Sequence, residues 1–415
     1  MLGWIRNIFL LIVAGLAAAP WWPVIQEWRT GATYRDYLAA NAHPVDLNTP
    51  GGGLSLPADF YDNRLFLVGE IHGMQTAQAV DLALMQHLHA TIGLRHIMAE
   101  LDATQADRIN TYLATGDEAH IRPIFDAWLG NATQWGNQQH FEKLQDLAAW
   151  NATLPANERI VYFGVDAIHD MDNALDWFAS RLAAEDASPA LADLAVVLNG
   201  DRTDTAALAV ALVAAQPALN DDLAYMAENI LADFDGAGRY ARIEPNITAM
   251  VDRFGIGDDE PVYGFWGLFH SLSATVNGGA RPLALRLRES DLPFADDIVT
   301  LTMSYANSQQ NMPSRMLPEA LQPDGPFFDA PGSQDNPYLM YLNGIGDMKA
   351  VAGDQPATLF RLNSEGSPYA GGVRMASQTG LLTYVFRFEM DPFDGFASDY
   401  AILIQDAPAL TAFEG

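Results

Sequence analysis

The sequence predicts an α/β protein built on a mostly parallel central sheet flanked by helices, with a helical insertion or cap. Three observations lead there. Short apolar runs end abruptly at turns; they alternate with stretches of helical periodicity; and one long block, residues 170–254, is alanine-rich with little strand-like sequence.

The first run, Leu65-Phe-Leu-Val-Gly-Glu70, is apolar at consecutive positions, as a strand buried on both faces of a parallel sheet requires. In residues 76–91, Ala77, Val80, Leu84 and Leu88 recur at helical spacing before Gly93 stops the segment. His96-Ile-Met-Ala-Glu100 makes a second strand and residues 103–113 another helix. Helices at 119–129 and 137–150 then precede a third strand, Arg159-Ile-Val-Tyr-Phe-Gly-Val-Asp166. The 170–254 block is expected to be helical, with breaks at Pro189 and Pro217. Strands return at 261–267, 298–303, 357–362, 381–388 and 400–405. The stretch 307–337, dense in Pro, Gly, Asn and Asp, is expected to form a lid or rim.

Residues 8–19 have the length and apolarity of a signal-peptide core, and Trp21, Trp22, Val24 and Ile25 prolong the run. A helix over 8–25 would span roughly 27 Å. The expectation is therefore an N-terminal membrane anchor or signal sequence over residues 1–25. A retained transmembrane helix is preferred over a cleaved signal because Pro20 directly follows Ala17-Ala-Ala19. An irregular tether over 26–60 would lead to a domain over 61–412, membrane-anchored or secreted, outside the cytoplasm.

Of 415 residues, 49% are hydrophobic and only 18% charged, so the chain can bury a large core. It is an acidic protein with a formal charge of −30, and its only lysines are Lys143 and Lys349. Such a field repels nucleic acid and anionic lipid headgroups. The expected partner is a small-molecule substrate, with the membrane reached through the N-terminal segment only. The absence of cysteine excludes disulfides, thiolate metal sites and a Cys nucleophile. No G-x-S-x-G elbow, Walker A loop or G-x-G-x-x-G turn occurs.

Chemistry concentrates at the strand ends. Glu70 and His72 are two positions apart, so an extended backbone points both side chains to one face, as a base and its orienter would be. Glu100 ends the second strand, Asp166 the third, and His270 follows the fourth. Parallel sheets bind ligands at these carboxyl edges. A single acid at a strand end is often only a helix cap, but four strand ends each delivering such a residue make a site. His169, three residues beyond Asp166, is a reserve candidate for substrate binding.

The order Leu67-Val-Gly-Glu-Ile-His-Gly73, Met98-Ala-Glu100, Tyr162-Phe-Gly-Val-Asp166 and His270 resembles the erythromycin esterase family and its wider superfamily. The resemblance implies an α/β hydrolase-like enzyme with His72 as general base, Glu70 and Glu100 as its partners, His270 as a second catalytic histidine and Asp166 lining the pocket. Where those esterases show Glu-x-x-His, this chain has Glu70-Ile71-His72, nearer to haem-binding lipoproteins of the superfamily, and residues 74–94 lack the arginine that the esterases carry there. Two classes stay open. One is a hydrolase acting on an ester, lactone or amide by His-activated water, which needs no cofactor. The other is an anchored haem- or metal-binding protein without turnover, with a metal-dependent hydrolase on the same residues between them.

Overall fold

The computed structural model describes residues 19–185, 188–236, 238–257, 260–384 and 389–415. The described chain begins with a 3-10 turn, then helices α1 (Trp22–Thr30) and α2 (Ala32–Ala40) and strand β1 (Ala42–Pro44). An α/β alternation follows: β2 (Leu65–Glu70), α3 (Gln75–Ile92), β3 (His96–Ala99), α4 (Ala103–Thr115), α5 (Arg122–Gly130), α6 (Gln138–Thr153) and β4 (Val161–Gly164). Residues 171–254 carry α7 (Met171–Leu182), α8 (Pro189–Leu198), α9 (Thr205–Ala215), α10 (Asp221–Phe234) and α11 (Tyr240–Phe254). The chain returns to the sheet with β5 (Val262–Gly267), α12 (Leu283–Arg288) and β6 (Ile298–Ala306). The remainder comprises β7 (Gln309–Pro313), β8 (Phe327–Pro331), β9 (Asp335–Asn336), β10 (Met340–Leu342), α13 (Ile345–Ala352), β11 (Ala357–Arg361), β12 (Gln378–Thr379) and β13 (Tyr400–Gln405).

Eight strands form one sheet in the order β1-β11-β13-β6-β2-β5-β3-β4. From β13 to β4 every neighbour is parallel, while β11 opposes β13 and β1 opposes β11. The apolar run that marked β2 is buried on both sides. Phe66 and Val68 enter the core with α3 to α6, whereas Leu65 and Leu67 face a second layer with α11 and α12. A strand sandwiched in this way has no solvent face and so shows no alternation. The helices of 171–254 pack largely on one another, around Phe178, Leu194, Leu212 and Ile230.

The expectation of a transmembrane helix is corrected for the described residues. Among the described residues no helix is long and apolar enough to cross a membrane. Residues 1–18 lie outside the described residues; the rest of the proposed span belongs to the 3-10 turn and the start of α1, where Trp22 and Ile25 are exposed while Trp21 and Val24 touch the domain. Trp21 Nε1 donates to the Tyr338 hydroxyl at 2.9 Å, and Val24 packs on a core shared with α13.

Nor do residues 26–60 form an irregular tether, since they include most of α1, all of α2 and the edge strand β1. The physical reason is Glu27, which is buried against the N-terminus of α13. Its carboxylate accepts from the N–H groups of Gly344 and Asp347 at 2.9 and 2.7 Å and from the Tyr341 hydroxyl at 2.8 Å. These backbone donors have no intrahelical partner, and a carboxylate there also complements the helix dipole.

Two further expectations change. The strand placed at 381–388 is a 3-10 turn over Leu381–Tyr384, and 385–388 lie outside the described residues. The 307–337 stretch contains the β7–β8 hairpin, which pairs Gln309 with Pro331 through Pro313 with Phe327.

Glu27→Ala is expected to lower the unfolding free energy by about 3 kcal/mol, because it strands buried donors, and Glu27→Gln by about 1 kcal/mol. Urea melts of the two variants beside the parent check this. Equal stability of Glu27→Ala and parent would show that α1 does not hold α13.

Candidate active site

The carboxyl edge of the sheet is assembled by register. Glu70, the last residue of β2, lies opposite Gly267, the last of β5, while β3 and β4 end side by side at Ala99 and Gly164. Glu100 follows the first of those ends directly and Asp166 the second after Val165, and the 3-10 turn Leu268–Ser271 brings His270 back over β2. Gly69 makes that return sterically feasible: a Cβ there would sit 1.9 Å from Ser271 Oγ. Gly73, at φ +98°, lets β7 close from the other side, since its Cβ would lie 2.4 Å from the Asn311 carbonyl oxygen.

Glu70 is buried and engages His72 Nδ1 through Oε1. Trp135 packs on the same imidazole at a ring-centroid distance of 5.7 Å, and Gln134 donates to the His72 carbonyl at 3.2 Å. With Nδ1 donating to the carboxylate, the lone pair lies on Nε2. Nε2 has no hydrogen-bond partner among the described residues and faces Gly267, where a Cβ would be only 3.4 Å away. Burial by itself would lower the His72 pKa, but Glu70, with Glu100 further off, outweighs burial and Arg239 and raises it to about 9.

The second cluster is an ionic bridge between two buried carboxylates and a partly exposed arginine. Arg239, immediately before α11, binds Asp166 through Nε at 2.8 Å and through Nη2, and Nη2 also reaches Glu100 Oε1 at 2.5 Å. Glu100 accepts from the Gly267 N–H at 2.7 Å and contacts His270 Nε2 at 3.2 Å. His270 Nδ1 is 3.1 Å from the Tyr240 hydroxyl. Burial opposes ionisation of Glu100, yet His270, His72 and Arg239 together hold its carboxyl well below the usual range. Asp166 is lowered in the same way, its burial overcome chiefly by Arg239. Burial pushes the Tyr240 hydroxyl up to about 12.

Glu70, His72, Glu100 and His270 line one cleft of about 410 Å³. Asp166 and His169 do not reach it; they line an adjoining cavity of about 80 Å³, with Arg239 and Glu100 in the partition. His169 is 58% exposed and stands 3.7 Å from Asp166, which raises its pKa. Two other clefts, of about 430 and 490 Å³, contain none of these six residues, so chemistry rather than size marks the site.

Sequence reasoning missed Arg239, Tyr240 and Gln134 and the walls given by Met340 and Gln378, whereas Gln310 and Met312 lie in the 307–337 stretch expected to form a lid or rim.

A multidentate metal site is not supported by these donors. Among the described residues no group of three or more His, Asp or Glu is disposed to hold a metal ion. Both nitrogens of His270 are already engaged, which leaves His72 Nε2 as the ring nitrogen of this pair with no partner among the described residues.

No family model matches the chain, and no curated protein matches it by sequence. Solved structures do match. A protein from Bacillus cereus is 12% identical with a TM-score of 0.60, covering 91% of this chain and 98% of its own. A succinoglycan biosynthesis protein is 11% identical with a TM-score of 0.62, covering 92% and 99%. An erythromycin esterase, solved as a mutant in its open conformation, is 13% identical with a TM-score of 0.55, covering 88% and 97%. At such identities the likeness establishes the fold alone.

Arg239→Met is expected to cost about 3 kcal/mol at pH 7, since it leaves buried carboxylates without their cation. In the parent both carboxyls are depressed, so their contribution is full above the unfolded value of about 4 and drains away below it. In the variant, burial instead raises Asp166, which then favours protonation, so the loss is greatest near neutrality. Urea melts at pH 4 and pH 7 should show a smaller gap at pH 4. A gap independent of pH would contradict the ionic bridge.

Proposed function

We propose that the chain is a hydrolase that activates water at His72 Nε2 to attack a neutral ester or lactone. One observation carries this reading: His72 is held through Nδ1 by a buried carboxylate while its other nitrogen is unpartnered and faces a cleft. That is the geometry of a general base with its orienter. The esterase among the structures sharing this fold supports the same reaction class.

In the proposed cycle His72 takes a proton from water, the hydroxide adds to the carbonyl carbon, and the imidazolium returns the proton to the departing oxygen. Arg239 lines the cleft, and its Nη1, which no hydrogen bond engages among the described residues, is a hydrogen-bond donor for the developing oxyanion. Glu100, His270 and Tyr240 act one step back. With Nε2 on Glu100 and Nδ1 on Tyr240, His270 is suited to fixing the cleft floor rather than to delivering a proton directly.

The walls support a neutral, largely apolar substrate. Gln134, Gln310 and Gln378 carry no charge, and Phe269, Met312 and Met340 present apolar surface. The guanidinium is already bound to two carboxylates, which leaves little net attraction for an anionic substrate.

His72→Ala is expected to lower kcat/KM on a reactive aryl ester by about 10³-fold. Because a pKa of about 9 leaves roughly one imidazole in a hundred neutral at pH 7, kcat/KM should rise about tenfold per pH unit and level off above pH 9. A pH-rate profile measures this. Activity that falls as pH rises through 9 would instead make the imidazolium the working form.

A further inference from the structure

Behind the Glu70–His72 pair lies a chamber of about 20 Å³, room for one water. Glu70, His72, Gln78, His140 and Lys143 are among its walls. Gln78 and Lys143 also line the surface cleft of about 490 Å³, while Glu70, His72 and Gln134 also line the catalytic cleft. The chamber therefore sits between solvent on one side of α3 and the reaction centre on the other.

The polar groups around it are incompletely satisfied. Gln78 Oε1 is buried and has no partner among the described residues. Leaving such an acceptor unfilled costs about 1–3 kcal/mol. The Lys143 ammonium donates to Asp81 Oδ2 at 2.7 Å and has further protons to place. Glu70 meets His72 through Oε1, and no hydrogen bond engages Oε2 among the described residues.

Lys143 is itself fixed from below the sheet. Asp81 accepts from Lys143 on one oxygen and from the Tyr263 hydroxyl, also at 2.7 Å, on the other, and all three residues are buried. His140, stacked on Trp128, is kept neutral by its burial and by the neighbouring ammonium, so it adds no competing charge.

We propose that the chamber binds one ordered water that accepts from Lys143 Nζ and donates to Gln78 Oε1 and to Glu70, making Lys143 and Gln78 positioning residues for the Glu70–His72 pair. Three hydrogen bonds are what a buried water typically makes. Through it the buried Asp81–Lys143–Tyr263 cluster restrains the Glu70 carboxylate from turning away from His72 Nδ1.

The water and its restraint of Glu70 are independent of whether the protein is a hydrolase; only the kinetic consequence rests on that reading. High-resolution crystal structures of the intact protein and of Gln78→Leu, which spares the Asp81–Lys143 pair, decide both. The parent should show a water within about 3 Å of Gln78 Oε1, Lys143 Nζ and a Glu70 oxygen. The variant should lose it and show Glu70 displaced from His72. A dry chamber in the parent, or an undisturbed Glu70–His72 pair in the variant, overturns the proposal. On an ester turned over by the parent, Gln78→Leu should lower kcat about tenfold with KM nearly unchanged. Loss of ester turnover in the parent itself would defeat the hydrolase reading and leave the crystallographic result standing.

Discussion

The bridge that Arg239 makes between Asp166 and Glu100 is the interaction on which the rest of the site depends. Parallel strands end in a region too deep for water to solvate a carboxylate freely, and on this edge β2, β3 and β4 each lead to an acid, with β5 between β2 and β3. Buried charge of that kind persists only when paired and hydrogen-bonded. Arg239 meets the requirement for two acids, His72 for the third, and Glu100 in turn fixes His270 and the Gly267 backbone. The unengaged His72 Nε2 is what remains once these pairings are made.

A second support is remote in sequence. Glu27 bonds Tyr341 and the N-terminus of α13, while Met340, one residue before Tyr341, forms part of the cleft wall. Arg374 extends the same junction, reaching Asp347 and donating to Thr30 Oγ1 at 2.9 Å. The first described helix thus steadies one side of the cleft by hydrogen bonds and ion pairs rather than by contact with substrate.

Much of the frame was legible because buried parallel strands are written as consecutive apolar residues, as in β2 and β13. Glu70, His72, Glu100 and His270 were legible because topology forces strand ends onto one edge. Arg239 was not: it lies in a glycine-flanked turn with no periodicity, and its partners precede it by 139 and 73 residues. Met340 and Gln378 sit on strands of three and two residues, too short for any pattern to build up. Residues 26–60 were misjudged as an irregular tether because hydropathy weighs neighbours in sequence, whereas Glu27 finds its partner Tyr341 314 residues away.

The central claim is that Glu70 holds the Nδ1 proton of His72 and leaves Nε2 as the base, and it is tested most directly by a ¹⁵N NMR titration of the His72 ring in the free protein. The geometry predicts a midpoint near 9, with the proton leaving Nε2 and Nδ1 remaining protonated. A midpoint near 6.5, or deprotonation at Nδ1, would contradict it.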